Sequence, residues 1–168
     1  MPIEGIVMDT AARRARITDE ITAKTGITEE VIDTLVRLFY QNVRGDAVLG
    51  PIFEARIADW EPHLSRMTAF WSSVALMTGR YHGRPMDAQL PLPIDDRHFD
   101  IWLAIFEKTA HEVCQPLAAA HFIERARRIA ESLEIGVAMR HGVLASRNER
   151  FHLPDANSGT HKELTHAE

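Results

Sequence analysis

Three side chains that join an aromatic ring to a polar tip fall on the inward faces of three separate helical segments: Tyr40, His63 and Trp102. A phenol hydroxyl donates and accepts hydrogen bonds, an indole N–H only donates, and an imidazole can donate, accept, carry a proton or bind a metal. Once buried, each such tip needs a partner. Periodicity alone offers backbone carbonyls or core neighbours as those partners, with a bound ligand as the alternative. The other candidate groups are weaker. His111, Cys114 and His121 have nitrogen and sulfur chemistry suited to zinc, but Pro116 divides them between two helices and no fourth ligand stands nearby. A buried, inert Cys114 with two histidines at or near the surface is the simpler expectation. Asp96, His98 and Asp100 gather acids around an imidazole at a helix start, where a cap and dipole-favoured acids account for them, and Trp102 follows His98 one turn on along the same side. Of the nine histidines, His152, His161 and His166 lie in a polar C-terminal stretch and read as solvated groups. Phosphate loops, dinucleotide glycine fingerprints, nucleophile elbows and CxxC pairs are missing from the sequence, which removes the common motif-borne enzyme classes.

The elements that must position these rings are helices. A short helix is expected at about 10–24, and Gly26 breaks it. Thr28 followed by Glu29 and Glu30 marks the start of a helix to about residue 44, whose apolar residues Ile32, Leu35, Val36, Phe39, Tyr40 and Val43 recur at three and four. Gly50-Pro51 predicts a short turn through Ile52 and Phe53. Asp59 then caps a helix over about 60–77 with the stripe Trp60, His63, Leu64, Met67, Phe70, Trp71 and Val74, so His63 shares a face with apolar neighbours. Gly79, Gly83, Pro85, Pro91 and Pro93 predict a loop over about 78–93, long enough to suggest a functional one. Asp95 or Asp96 starts the next helix, with Phe99, Trp102, Leu103, Phe106, Ala110 and Val113 inward. Pro116 opens the last helix, which turns Phe122, Ile123, Ala126, Ile129, Ala130, Leu133 and Val137 to one side and stops near Gly142. The fold class is all-α. An N-terminal extension occupies 1–26, one domain occupies 27–142, and 143–168 is expected to be a polar, mobile tail.

Composition agrees. The chain has 168 residues, 45% of them hydrophobic, enough for one self-sufficient core. A net charge of −5 with both signs interspersed leaves no basic stripe for nucleic acid. One cysteine cannot form an internal disulfide, and neither a secretory signal nor a run of about 20 apolar residues is present. A cytoplasmic protein without a membrane segment is the expectation.

Several ordered blocks carry a family likeness: FYQNVRGDAVLGPIF at 39–53, DWEPHLSRMTAFWSSVALMTGRYHGRPM at 59–86, HFDIWLAIFEKTA at 98–110 and RARRIAESLEIG at 125–136. Together they resemble the bacterial group III truncated haemoglobins over roughly residues 28–142. The resemblance implies a compact globin fold around haem b, with Tyr40 and His63 on the distal side and Trp102 lining the same pocket. It implies that Phe39, Phe53, Met67, Phe70, Trp71 and Phe99 form an apolar wall, with Arg80 or Tyr81 meeting a haem propionate at the rim. The implied ligand is a diatomic gas (O2, NO or CO), with an electron donor as further partner if redox chemistry on O2, NO or peroxide accompanies binding. Ligand binding is favoured over dedicated catalysis.

The sequence departs from the family at one place. After GRYHGRPM the family carries the proximal, iron-binding histidine; here the stretch reads DAQLPLP, with Gln89 at the matching position. An amide oxygen is a poorer iron ligand than imidazole. Three arrangements follow, in order of preference: haem ligated by His63 or weakly by Gln89 or water; haem ligated by a substitute, His82 or His98; or a haem-free globin-fold module with an apolar cavity.

Overall fold

The computed structural model describes residues 3–83, 93–144 and 149–154, and among these the chain forms six helices and no strands. They are α1 (Ile3–Thr25), α2 (Glu29–Gly45), α3 (Leu49–Arg56), α4 (Trp60–Leu76), α5 (Asp96–Val113) and α6 (Pro116–Arg140). Helix α2 lies against α3, α4 and α5, and α6 lies against α5, α4 and α1.

Local chemistry explains most helix ends. The Thr28 hydroxyl accepts from the Val31 N–H at 3.2 Å, with Glu29 and Glu30 in the first turn of α2 and Arg44 in its last. The six residues expected to face inward from α2 are its six buried residues. At the start of α5 the cap is Asp95 in a reciprocal box: its carboxylate accepts from the helix while the Asp95 N–H donates to His98 Nδ1 at 3.0 Å. Pro116 sits in the first turn of α6, and Gly142 turns the chain away after its end with φ of 78°. Asp59 stands at the cap position of α4, but its side chain makes no cap hydrogen bond.

Three expectations change. The first helix is longer than the one read at 10–24, and its Thr18 hydroxyl donates to the Leu76 carbonyl at 2.7 Å, satisfying a carbonyl that the end of α4 leaves without a helical donor. The turn expected at Gly50-Pro51 is helix α3. Proline is tolerated there because it sits in the first turn, and a Cβ on Gly50 would come within 2.6 Å of the Arg44 carbonyl oxygen, so only glycine lets α3 abut the end of α2. The polar stretch read as a mobile tail contains an ordered piece: within 149–154, Phe151 is 5% exposed against Ile94, Phe99 and Val137, and Arg150 Nε donates to Glu134 at 3.0 Å. His152 is accordingly held on Asp96 at 2.8 Å, and His161 and His166 lie outside the described residues.

A stack of rings holds the helices together. Phe106 of α5 is stacked on Trp71 of α4 at 4.8 Å and on Trp102 at 5.8 Å, and meets Phe39 of α2 edge-on at 5.3 Å. Phe122 of α6 closes the stack against Trp71 at 6.1 Å. Phe106→Ala is expected to lower the unfolding free energy by about 3–5 kcal/mol through lost burial and the cavity left behind, measured by urea denaturation. A loss below about 1 kcal/mol would show that the stack does not hold the fold.

Candidate functional site

An apolar cavity of about 450 Å³ opens between α4 and α5, with α3 along one side and α6 at the back. Its size falls in the usual range for small-molecule sites. Helix α4 contributes His63, Arg66, Met67, Phe70 and Trp71; α5 contributes Phe99 and Trp102 with His98 beside them. Ile52 and Phe53 of α3, Ile129 and Leu133 of α6, Tyr40 of α2 and Tyr81 complete most of the lining. The cavity explains why His63, Met67 and Phe70 of the α4 stripe are only half-buried: part of each side chain faces the open space, whereas Trp60 and Leu64 border a second cleft.

The polar chemistry gathers at one end. The Tyr40 and His63 rings meet edge-on at 4.9 Å, and Trp60 lies 5.9 Å from Tyr40 and 5.8 Å from His63. His63 Nε2 and Trp60 Nε1 are buried and have no hydrogen-bond partner. A buried donor or acceptor left unpaired costs roughly 1–3 kcal/mol, so His63 Nε2, on the cavity lining, marks a place suited to a polar partner, while Trp60 borders a separate cleft. Burial, helped by the positive charge of Arg66, pushes the His63 pKa down to about 4. The imidazole is neutral at pH 7, able to accept, to donate from one nitrogen or to bind a metal. Burial raises the Tyr40 phenol above its ordinary range, so it stays a hydroxyl and a donor.

The other expected residues are distributed as follows. Met67, Phe70, Trp71, Tyr81, Phe99 and Trp102 all line the cavity, with Tyr81 edge-on to Phe70 at 5.3 Å. Phe39 does not; it is fully buried one layer behind, edge-on to Tyr40 at 5.0 Å and to Trp102 at 5.4 Å. Arg80 does not line the cavity either: its Nη1 sits 2.8 Å from Glu29 Oε2 at the start of α2. His82 is exposed and away from the cavity lining. His98 lines the cavity with Nδ1 at the Asp95 cap. Gln89 lies outside the described residues.

Sequence reasoning missed two cavity-lining cations, Arg56 and Arg66. Helical spacing held the signal, because residues 60, 63, 66 and 67 share one face of α4. On the far side of Tyr40 lies a shallower cleft of about 580 Å³, between Arg37, Arg44, Glu54 and Trp60. Its arginines are already engaged: Arg37 pairs with Asp33 and Glu61, while Arg44 pairs with Glu54 and lies 4.4 Å over the Trp60 ring.

The second-choice chemistry recedes. His121 Nε2 sits 2.9 Å from the Ala75 carbonyl, and burial pushes the Cys114 thiol up to about 11, making it unreactive. Among the described residues, Asp95, Asp96 and His152 come close enough together to share an ion. The Asp95 carboxylate, however, is already occupied by N–H groups of Arg97 and Leu153 and by the Arg97 guanidinium. Burial alone would raise its pKa, but these donors win and hold it well below the ordinary carboxylate range.

His63 gives the chain an acid-sensitive limb in its stability. The unfolded chain takes up this proton near pH 6.5 and the folded chain near 4, so between those values the unfolded state binds more protons and stability falls as pH falls. His121, whose pKa burial also lowers, adds to the same limb. His63→Phe is expected to make the loss between pH 6.5 and 4 shallower in urea titrations; an unchanged slope would mean that His63 is not held neutral.

No family model matches the chain. Over 113 residues it is 34% identical to the group 3 truncated haemoglobin ctb of Campylobacter jejuni, an alignment covering 64% of this chain and 89% of that protein. The crystal structure of the group III truncated haemoglobin from Campylobacter jejuni resembles this fold with a TM-score of 0.60 at 34% identity, again covering 64% of this chain and 89% of that one.

Proposed function

The chain belongs to the group III truncated haemoglobins, and from that membership we propose that it holds haem b in the cavity between α4 and α5 and binds a diatomic gas at the Tyr40 end. The observation that carries this reading is His63 Nε2, neutral, buried and without a partner, beside Tyr40 in a largely apolar cavity. No helix among the described residues is long and apolar enough to cross a membrane.

The cavity's residues suit such a group. Met67, Phe70, Trp71, Phe99 and Leu133 offer apolar surface and exclude water from a flat macrocycle. Arg56 and Arg66 are the cations that would hold its carboxylates. Haem, when bound, supplies an iron with an open position for the gas. Tyr40 would donate a hydrogen bond from its hydroxyl to a partially negative ligand, and the Trp102 indole would be a second donor in the same lining. His63 brings its unprotonated nitrogen to that end, as hydrogen-bond partner or as ligand. Strong donors of this kind favour a tightly held, slowly released ligand. Redox turnover of O2, NO or peroxide would draw on an electron donor; reversible binding needs none and is the reading put forward.

Gln89 favours a second reading, a haem-free globin-fold module, because the family's histidine position lacks imidazole. Haemin titration separates the two. Stoichiometric uptake with a Soret band distinct from free haemin is expected, shifted when His63 is replaced by Leu if His63 ligates. Gln89→His is expected to convert the spectrum to that of an ordinary imidazole-ligated haem. With haem in place, Tyr40→Phe is expected to speed dissociation of O2 about tenfold or more, the worth of one charge-assisted hydrogen bond, read by stopped-flow. No haemin uptake by wild type or by the Gln89→His variant would sink the haem reading.

A further inference from the structure

Residues 149–154 do not line the cavity, yet they are fastened to the elements that do. The Asp96 N–H donates to the Phe151 carbonyl at 2.8 Å, and the Leu153 N–H donates to Asp95 Oδ2 at 2.9 Å. Arg150 spans two helices: Nε and Nη2 donate to the buried Glu134 of α6 at 3.1 and 2.8 Å, and Nη2 also reaches Asp100 of α5 at 2.8 Å. Between these polar fastenings the Phe151 side chain enters a small core of its own with Ile94, Phe99, Ala130 and Val137. It stacks on His141 at 5.3 Å.

That small core is the outer layer of the cavity wall. Ile94 and Phe99 belong to it and also line the cavity, and Ile52, Trp102 and Leu133, which pack against it, line the cavity too. Asp95, which receives the Leu153 N–H, is the same cap that holds His98 Nδ1. Removing Phe151 would leave Phe99 and Ile94 with space behind them, and interiors respond to such a gap by side-chain movement toward it.

We propose that Arg150 and Phe151 are positioning residues for the cavity: the 149–154 segment is a strap that backs the wall formed by Ile94, Phe99 and Leu133 and so sets how tightly the cavity grips its occupant. This inference rests on the haem reading for the identity of that occupant. The grip acts through Phe99 and Ile94, not through contact between the strap and the ligand.

The test uses the full-length chain reconstituted with haemin and follows haem transfer to an excess of a scavenging apoglobin. Phe151→Ala is expected to speed haem loss by about tenfold. A Val43→Ala control, which weakens the core at a buried site off the cavity lining, is expected to change that rate far less. Arg150→Ala, a substitution at a half-exposed side chain that leaves the core intact, is expected to act in the same direction more weakly, with Arg150→Lys restoring part of the grip. Haem loss in Phe151→Ala no faster than in the control overturns the proposal. Should that variant fail to fold, an unchanged rate in Arg150→Ala overturns it instead. A wild-type chain that takes up no haemin overturns the haem reading alone. The strap is then read in the haem-free chain by the near-UV circular dichroism of the cavity tryptophans, whose weakening in Phe151→Ala beyond that in the Val43→Ala control supports it and whose equality with the control overturns it.

Discussion

Two walls of the cavity are the outward surfaces of one ring stack. Trp71 and Trp102 both lie nearly parallel to Phe106, one from α4 and one from α5, and both border the open space. Stacked rings resist compression, because the dispersion contacts that hold them at about 5 Å become repulsive when they are pushed closer. The stack therefore acts as a spacer as well as a core. It keeps α4 and α5 from closing the gap between their apolar faces, which burial of apolar surface would otherwise favour. An apolar pocket survives in a folded chain when rigid parts on either side cannot reach each other, and here those parts are tryptophans on a shared phenylalanine.

The polar end of the cavity follows from that spacing. Tyr40, His63 and Trp60 come from two helices and meet where α2 crosses α4. Their rings contact one another edge-on or tilted, which leaves their polar atoms off the line of contact. Packing satisfies the carbon surface and leaves His63 Nε2 and Trp60 Nε1 without partners. Nearby Arg66 and the low-dielectric surroundings both favour the uncharged imidazole.

Much of this was legible in the sequence, and unevenly so. Helix α2 could be read completely, because its apolar stripe is continuous, its cap is a threonine and every face it buries meets another helix. The α4 stripe was read only in part: Trp71 is buried as expected, the other stripe residues are half-buried, and the buried Ser72, Ala75 and Leu76 were missed, since periodicity says which way a side chain points and not what stands there. Helix α3 was hidden because glycine followed by proline signals a break, and only the nearby Arg44 carbonyl shows why that glycine belongs in a helix. Arg80 was placed at the rim on charge and loop position, yet Glu29, some fifty residues earlier in the chain, holds it. The ordered piece at 149–154 escaped notice for the same reason. Its partners Glu134, Asp100 and Asp95 are distant in sequence, and a polar stretch with one phenylalanine gives no periodic signal. Local rules see local partners, and this chain fastens its edges with remote ones.

Tyr40 has a last property that neither its hydroxyl nor its burial describes. It borders the inner cavity on one side and the outer cleft between α2 and α4 on the other. One aromatic ring is thus shared between a chamber and a surface depression, with Trp60, held beneath Arg44, as its neighbour. Both spaces depend on this one side chain for part of their lining. A change of side chain at this position would therefore reshape the chamber and the surface depression together.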